Sequence, residues 1–335
     1  MNRNIKDVVV ACTILLAIFI GGLNTSAYAT EQVVQAEYIL DGASLYIDAP
    51  VSIATTDEIP LLRVSPCTWD QFDLPAVLFQ NRDYEVAAAQ GNQGALYPLY
   101  TSAQGDELVV TPGAFYYTTE LGTSLYNAIQ MNDAASSITQ IDGFSTQEAF
   151  SVLEDTALRL GIDIAMHEDA TFVAYAAHDL AATGETADFV DCYYIRAPFT
   201  YHNVRLIPEP FILGTLEYYG NNGYLEAFLT ADGIESLNPN GNYFQIEQTI
   251  SLTQPISVDE AVECLLQYLN GLILFEDIAI GRIVLQYVPM PSEDVGFTEL
   301  LPAWTFYAKF TDGEAGTVFK QAEYFLDAAT GEIIQ

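Results

Sequence analysis

Three histidines (His167, His178 and His202) and four cysteines (Cys12, Cys67, Cys192 and Cys264) are the residues best suited to nucleophilic, acid–base or metal chemistry. A cysteine nucleophile needs a base held beside it and a lowered pKa. No cysteine here has a neighbouring histidine in sequence, and no C-x-x-C occurs. His167-Glu168 starts like a zinc-protease helix, but no second histidine follows at the spacing that would put both on one face. With Asp169, these residues could ligate a metal only if a distant side chain joined them, and they are expected in a solvated loop. His178-Asp179 and Tyr201-His202 read the same way. No G-x-S-x-G elbow, P-loop or G-x-G-x-x-G is present. GNQGALYPLY carries glycine, but it runs into strand-like residues and a proline, which leaves no helix N-terminus to cradle phosphate. The 45 acidic residues make a glycosidase-type pair of carboxylates impossible to single out. The Asp-Gly pairs at 41, 142, 232 and 312 sit in turns, and none extends into an EF-hand loop. The expectation is therefore no catalytic, cofactor-binding or metal-ligating residue. An exported hydrolase with an unrecognised acid pair or Cys/His pair stands as the alternative, beside a small-molecule or cation-binding module.

The elements that would position any site have clear signals. In FSTQEAFSVLEDTALRLGI, Ser145 and Glu148 form a capping box. Phe150, Leu153, Ala157 and Leu160 then share one helix face, and Gly161 can end the helix. In ISVDEAVECLLQYLNGLI, Ser257 and Glu260 repeat the box, Val262, Leu265, Leu266 and Leu269 repeat the stripe, and Asn270-Gly271 closes it. Strand-like stretches follow each helix, and each series ends in strand, glycine turn, strand: YLEAFLTADGIESL and AEYFLDAATGEII. Gly233 and Gly331 supply the positive φ. An apolar stripe and a one-sided sheet bury each other. The expected fold class is α+β: a β-rich N-terminal part over 30–140, then two tandem helix-plus-antiparallel-sheet units over 144–245 and 255–335.

Residues 30–140 read mainly as strands. AEYILDGASLYIDAPVSI is a hairpin turning at Asp41-Gly42, with Leu45, Ile47, Ala49, Val51 and Ile53 alternating. Tyr84, Tyr97, Tyr100, Tyr116 and Tyr117 are expected as half-buried sheet residues, and Arg82, Asp83 and Glu85 as a polar loop. Ahead of this region, Arg3 and Lys6 precede an apolar run from Val8 to Leu23, and Ala27-Tyr28-Ala29 follows. This is the pattern of a secretory signal peptide over 1–29, cleaved after Ala29, with an uncleaved anchor as the alternative. Residues 30–335 keep eight of the ten basic and 44 of the 45 acidic residues, a formal charge of −36. Such acidity excludes nucleic acid and anionic membrane surfaces as partners. Cys67, Cys192 and Cys264 are expected as isolated, partly buried thiols, with Cys192 and Cys264 the pair if a bridge forms.

The C-terminal unit resembles PepSY-type domains and the related units of YycH/YycI-type extracytoplasmic regulatory proteins of Gram-positive bacteria. Ser257, Asp259, Glu260 and Ala261 on the helix, Pro302, Ala303 and Trp304 on a strand, and Asp327, Ala328, Thr330, Gly331 and Glu332 at the last turn carry the likeness. The layout is also similar to clostridial exported proteins, although no lipobox follows the apolar run. The resemblance implies an exported, non-enzymatic cell-envelope protein that binds or modulates a protein partner, such as a sensor or peptidase. It carries over no catalytic residue.

Overall fold

The computed structural model describes residues 32–40, 43–53, 57–80, 83–90, 95–208, 223–241, 243–311 and 318–334. The expected signal peptide, Arg82, the GNQG stretch and the Asp-Gly turns at 41 and 312 lie outside these residues. In chain order the elements begin with β1 (Gln32–Ile39), β2 (Ser44–Ser52), β3 (Ile59–Pro66), α1 (Leu74–Leu78), β4 (Tyr84–Gln90), β5 (Leu96–Ser102), β6 (Glu107–Val110) and β7 (Phe115–Thr118). Next come α2 (Glu120–Tyr126), α3 (Thr146–Arg159), β8 (Thr171–Tyr175), α4 (Ala177–Ala181), β9 (Cys192–Pro198), β10 (Thr200–Tyr201), β11 (Val204–Arg205), β12 (Tyr224–Thr230) and β13 (Gly233–Asn240). The chain closes with β14 (Phe244–Thr253), α5 (Val258–Asn270), β15 (Asp277–Pro291), β16 (Thr298–Thr311) and β17 (Val318–Asp327). Among the described residues no helix is long and apolar enough to cross a membrane.

These strands make a first sheet in the order β1-β2-β15-β16-β3-β14, with β17 also on β16, and a second sheet in the order β4-β5-β6-β7-β13-β12-β9-β8. A two-stranded ribbon, β10-β11, makes a third. This corrects the expected fold class. The molecule is mostly β-sheet, 48% strand against 21% helix, and it is not a β-rich part followed by two helix-plus-sheet units. Strands β1 to β3 enter the sheet that β14 to β17 complete, and β4 to β7 continue the sheet that holds β8, β9, β12 and β13. The reason is edge satisfaction: each late sheet presents unpaired backbone groups, and the early strands cover them.

Local signals did set the elements. β2 alternates, with Leu45, Ile47, Ala49 and Val51 buried and the residues between them exposed, as a one-sided strand must. β15 is different. Its residues from Ile283 to Pro289 are buried without a break, because both faces are covered: Ile283, Leu285 and Tyr287 enter the main core, while Gln286 meets Arg205 and Val288 packs with Ile207 and Phe325. Both capping boxes form: the Ser145 hydroxyl accepts from the Glu148 amide at 3.2 Å and Ser257 from Glu260 at 3.2 Å, with each glutamate reaching back to the cap. Phe150, Leu153 and Ala157 on α3 and Leu160 at its C-cap are buried, as are Val258, Ala261, Val262, Leu265 and Leu269 on α5.

The residues of the C-terminal motif lock α5 to its sheet. The Trp304 indole, 1% exposed, donates to the Ile256 carbonyl at 3.1 Å. The Ile256 amide donates to Ala328 at 2.8 Å, and Ala328 to Pro302 at 3.0 Å. Asp327 accepts from the amides of Ala329 and Thr330 at 2.8 and 2.9 Å, closing the last turn. Gly331 has φ +71°, and a Cβ there would fall 2.4 Å from Cys264 Sγ on α5.

The two large sheets share one hydrophobic core, which runs from Leu45 and Leu62 through Phe115 and Ile195 to Trp304 and Leu326. The ribbon joins them. Leu206, next to β11, bridges Tyr287 on β15 in parallel, and the Ile207 amide donates to the Tyr287 carbonyl at 3.0 Å. Arg205, 3% exposed, donates through Nε to Oε1 of the fully buried Gln286 at 3.0 Å and through Nη1 to Asp169 at 3.3 Å. Gln286 passes the chain on, donating to Thr305 Oγ1 at 2.9 Å and the Tyr307 hydroxyl at 3.2 Å.

Replacing Gly331 by alanine adds a close contact to a left-handed backbone and is expected to cost about 2–4 kcal/mol. Gly105, with φ +91° and nothing within 4 Å of a built Cβ, supplies the control, losing about 1 kcal/mol. Denaturant unfolding of both variants measures the difference, and equal losses would mean that Gly331 does not face Cys264. Ser257→Ala is expected to cost about 1 kcal/mol in the same assay.

Candidate functional site

The larger described cavity, about 470 Å³, opens where the two sheets meet. Four short segments frame it: the residues after β3, the loop after α3, the β10-β11 ribbon and the start of β14. Phe72, Tyr201, Tyr243 and Phe244 are its aromatic lining, with Trp69 and Phe199 packed behind. Tyr243 stacks on Trp69 with ring centres 5.7 Å apart and on Tyr201 at 5.9 Å, while Phe199 meets it edge-on at 5.0 Å. Hydrogen bonds fix the rings. The Tyr243 hydroxyl donates to the Gly161 carbonyl at 3.1 Å, and the Tyr201 hydroxyl accepts from the Phe244 amide at 2.7 Å. Burial pushes the Tyr243 phenol up to about 12 and the Tyr201 phenol well above the ordinary tyrosine value, so both stay neutral.

The rim is polar and planar. His202 and Asn203 form the tip of the ribbon with φ of +51° and +63°, the two-residue turn with both central residues left-handed that matches strand twist. The Gln71 amide donates to Gln245 Oε1 at 3.4 Å and to Cys67 Sγ at 3.4 Å. Asp163, Thr200, Gln71, Asn203 and Gln245 complete a lining that contains no lysine or arginine.

Cys67 and His202 therefore share one cavity, the meeting that a Cys/His hydrolase would require. The chemistry of the thiol opposes that use. Cys67 is 3% exposed. Burial and then the Asp70 carboxylate push its pKa up against the Gln71 hydrogen bond, whereas a nucleophile needs it lowered. Its side-chain partner is an amide and not a base. Cys67, Cys192 and Cys264 are all free thiols, and burial pushes Cys192 up to about 12.

The other residues considered from sequence lie apart from this cavity. The His167 ring packs against Phe172 at 4.8 Å and Phe150 at 5.6 Å and meets Thr146 Oγ1 at 3.1 Å. Asp169 turns to Arg205, and Asp179 takes the Ser137 hydroxyl at 2.6 Å. Asp83 and Glu85 are exposed beside and on β4. Tyr84 and Tyr116 are about half exposed, at 43% and 52%, and Tyr117 is buried. Among the described residues no three His, Cys, Asp or Glu side chains group to hold a metal ion. Gln71, Asp163, Tyr243 and Gln245 carried no motif. The one readable hint was Tyr201-His202-Asn203-Val204, where His-Asn between two strand-forming residues marks a tight turn.

No protein-family model matches the chain, and no curated protein matches it. The fold is similar to the crystal structure of an uncharacterized protein from Eubacterium rectale ATCC 33656, with a TM-score of 0.63 at 17% identity over 90% of this chain and 93% of that one. That likeness shows the fold alone.

Thiol labelling of the native chain near neutral pH is expected to leave Cys192 unreacted and to modify Cys67 far more slowly than the unfolded chain does. Rapid labelling of Cys67 would return the hydrolase reading to the cavity.

Proposed function

We propose that the chain is an exported, non-enzymatic binding protein of the cell envelope, and that the cavity between the sheets takes a neutral, hydroxyl-rich ligand such as a stretch of glycan. The observation that carries this reading is the lining: tyrosine rings fixed by hydrogen bonds, with Phe72, the amides of Gln71, Asn203 and Gln245, the Asp163 carboxylate, the Thr200 hydroxyl and the His202 imidazole, and no lysine or arginine. Vicinal sugar hydroxyls suit planar amides, each of which both donates and accepts, and the partly exposed Phe72 ring can meet the apolar C–H face of a sugar. A phosphate or carboxylate ligand would instead call for arginine or lysine. The volume falls in the range of about 300–1,000 Å³ usual for small-molecule sites. The raised Cys67 thiol supports binding without turnover. The expected signal peptide supports export, and the likeness of the C-terminal motif to PepSY-type domains supports an envelope setting.

A second reading keeps a protein partner. β14 pairs only with β3 among the described strands, eight of its ten residues are exposed, and Leu252 on it is 60% exposed. Such an edge offers backbone donors and acceptors to an added strand.

Calorimetric titration with neutral oligosaccharides, N-acetylated and plain, tests the first reading. Saturable binding is expected, with no new reducing ends formed. The loss in Gln71→Ala or Asn203→Gly should be about tenfold, near that of a lost hydrogen-bond set. Absence of binding, or binding equal in both variants, would overturn it, and cleavage of the sugar would overturn the non-enzymatic part.

A further inference from the structure

The first sheet ends at β1, which among the described strands pairs only with β2. The outer side of such a strand presents a row of backbone donors and acceptors, which proteins usually blunt with lysine, proline or a bulge. β1 has none of these. Its sequence, QVVQAEYI, holds one charged residue, Glu37. Its register on β2 runs without a shift from Gln32 opposite Val51 to Ile39 opposite Ser44. β14, at the far edge, shifts register twice on β3 and offers no straight edge to a rigid body. On one face of β1, Val33 is 55% exposed and Ile39 89%, with Gln35 and Glu37 between them. On the other face Val34, Ala36 and Tyr38 pack against the main core.

The order of these residues says what would cover the edge. From Val33 the strand reads two apolar residues, a polar one, Ala36, a polar one, then aromatic Tyr38 and apolar Ile39. The same pattern runs backwards. A twofold axis through Ala36, perpendicular to the sheet, sets a second β1 antiparallel to the first and keeps like faces together. Val33 then lies opposite Ile39 of the second copy, Val34 opposite Tyr38, Gln35 opposite Glu37 and Ala36 opposite Ala36. Glu37 meets an amide and not a carboxylate. Gln35 gives one N–H to Asp48 on β2 at 2.9 Å, and an amide carries two. Sliding the pairing by one repeat of the pleat ruins the match: one direction sets Glu37 against Glu37, and the other sets it against Val33.

We propose that β1 is a self-docking edge, at which a second copy of this chain adds its own β1 about an axis through Ala36 and the first sheet continues across the pair. Chains of formal net charge −35 repel one another, so the contact is strongest where salt screens that repulsion. The inference does not depend on the glycan reading, since no residue of β1 or β2 lines that cavity.

The test is sedimentation equilibrium of the full chain over a range of concentrations, at low and at raised salt. A monomer–dimer equilibrium is expected, shifting toward dimer as salt is added. Ile39→Ser changes a side chain that the monomer leaves exposed, and it should weaken association about tenfold or more, because each dimer loses two buried apolar side chains. Gln35→Glu sets carboxylate against carboxylate twice and should weaken it as well. Adding Glu37→Lys to Gln35→Glu should restore the dimer, a rescue that this register provides. Circular dichroism checks that the variants fold, and if Gln35→Glu does not, Ile39→Ser carries the test. A monomer at every concentration and salt, a dimer indifferent to Ile39→Ser, or no rescue by the folded double variant would overturn the proposal.

Discussion

Parallel pairing of β2 with β15 is the constraint on which the rest of the molecule depends. Leu45 sits opposite Ile278, and Val51 opposite Ile283. Parallel neighbours cannot be joined by a tight turn and need a crossover connection. Here the crossover contains the whole second sheet. Once β15 lies between β2 and β16 its edges are paired, and its faces are closed by the main core on one side and by the Arg205–Ile207 segment on the other. β16 then divides its free edge, pairing with β3 through residues 298–300 and with β17 beyond them. The first sheet is thus complete only after the chain has finished the second and returned.

That return brings the two sheets onto one core and leaves a seam. Seams are where polar groups must be reconciled, because a buried guanidinium stays charged and a buried amide needs partners. The chain from Asp169 through Arg205 and Gln286 to Thr305 and Tyr307 does this. The tyrosines beside it keep their hydroxyls bonded to backbone, as the Tyr287 hydroxyl does to the Pro60 carbonyl at 2.8 Å. Two cavities sit along this junction. One is lined by aromatic rings and amides, and the other, of about 230 Å³, by Arg196, Arg205 and Arg282 with Glu168 and Asp169, so a single packing constraint yields two surfaces of different chemistry.

What the sequence revealed follows from distance along the chain. Capping boxes, the stripe on α5, the alternation of β2 and the left-handed glycines depend on residues within a few positions of one another, and all are found. Sheet membership depends on pairs such as Leu45 and Ile278, for which alternation and propensity give no address. Two similar helix-then-strands series therefore read as separate units, although the early strands complete both sheets. The same limit applies to the site. Cys67, Asp163, His202 and Tyr243 meet through tertiary packing, and none has a partner within a motif's length. Arg196, Arg205 and Arg282 come from three different sheets, and their convergence is visible only in three dimensions.

The N-terminal strands and the C-terminal helix-and-strand series share sheets and one core, and should therefore unfold together. Differential scanning calorimetry of the chain tests this most directly. The expected result is a single transition whose van't Hoff and calorimetric enthalpies agree. Two resolved transitions, one of them retained when the N-terminal strands are deleted, would contradict it.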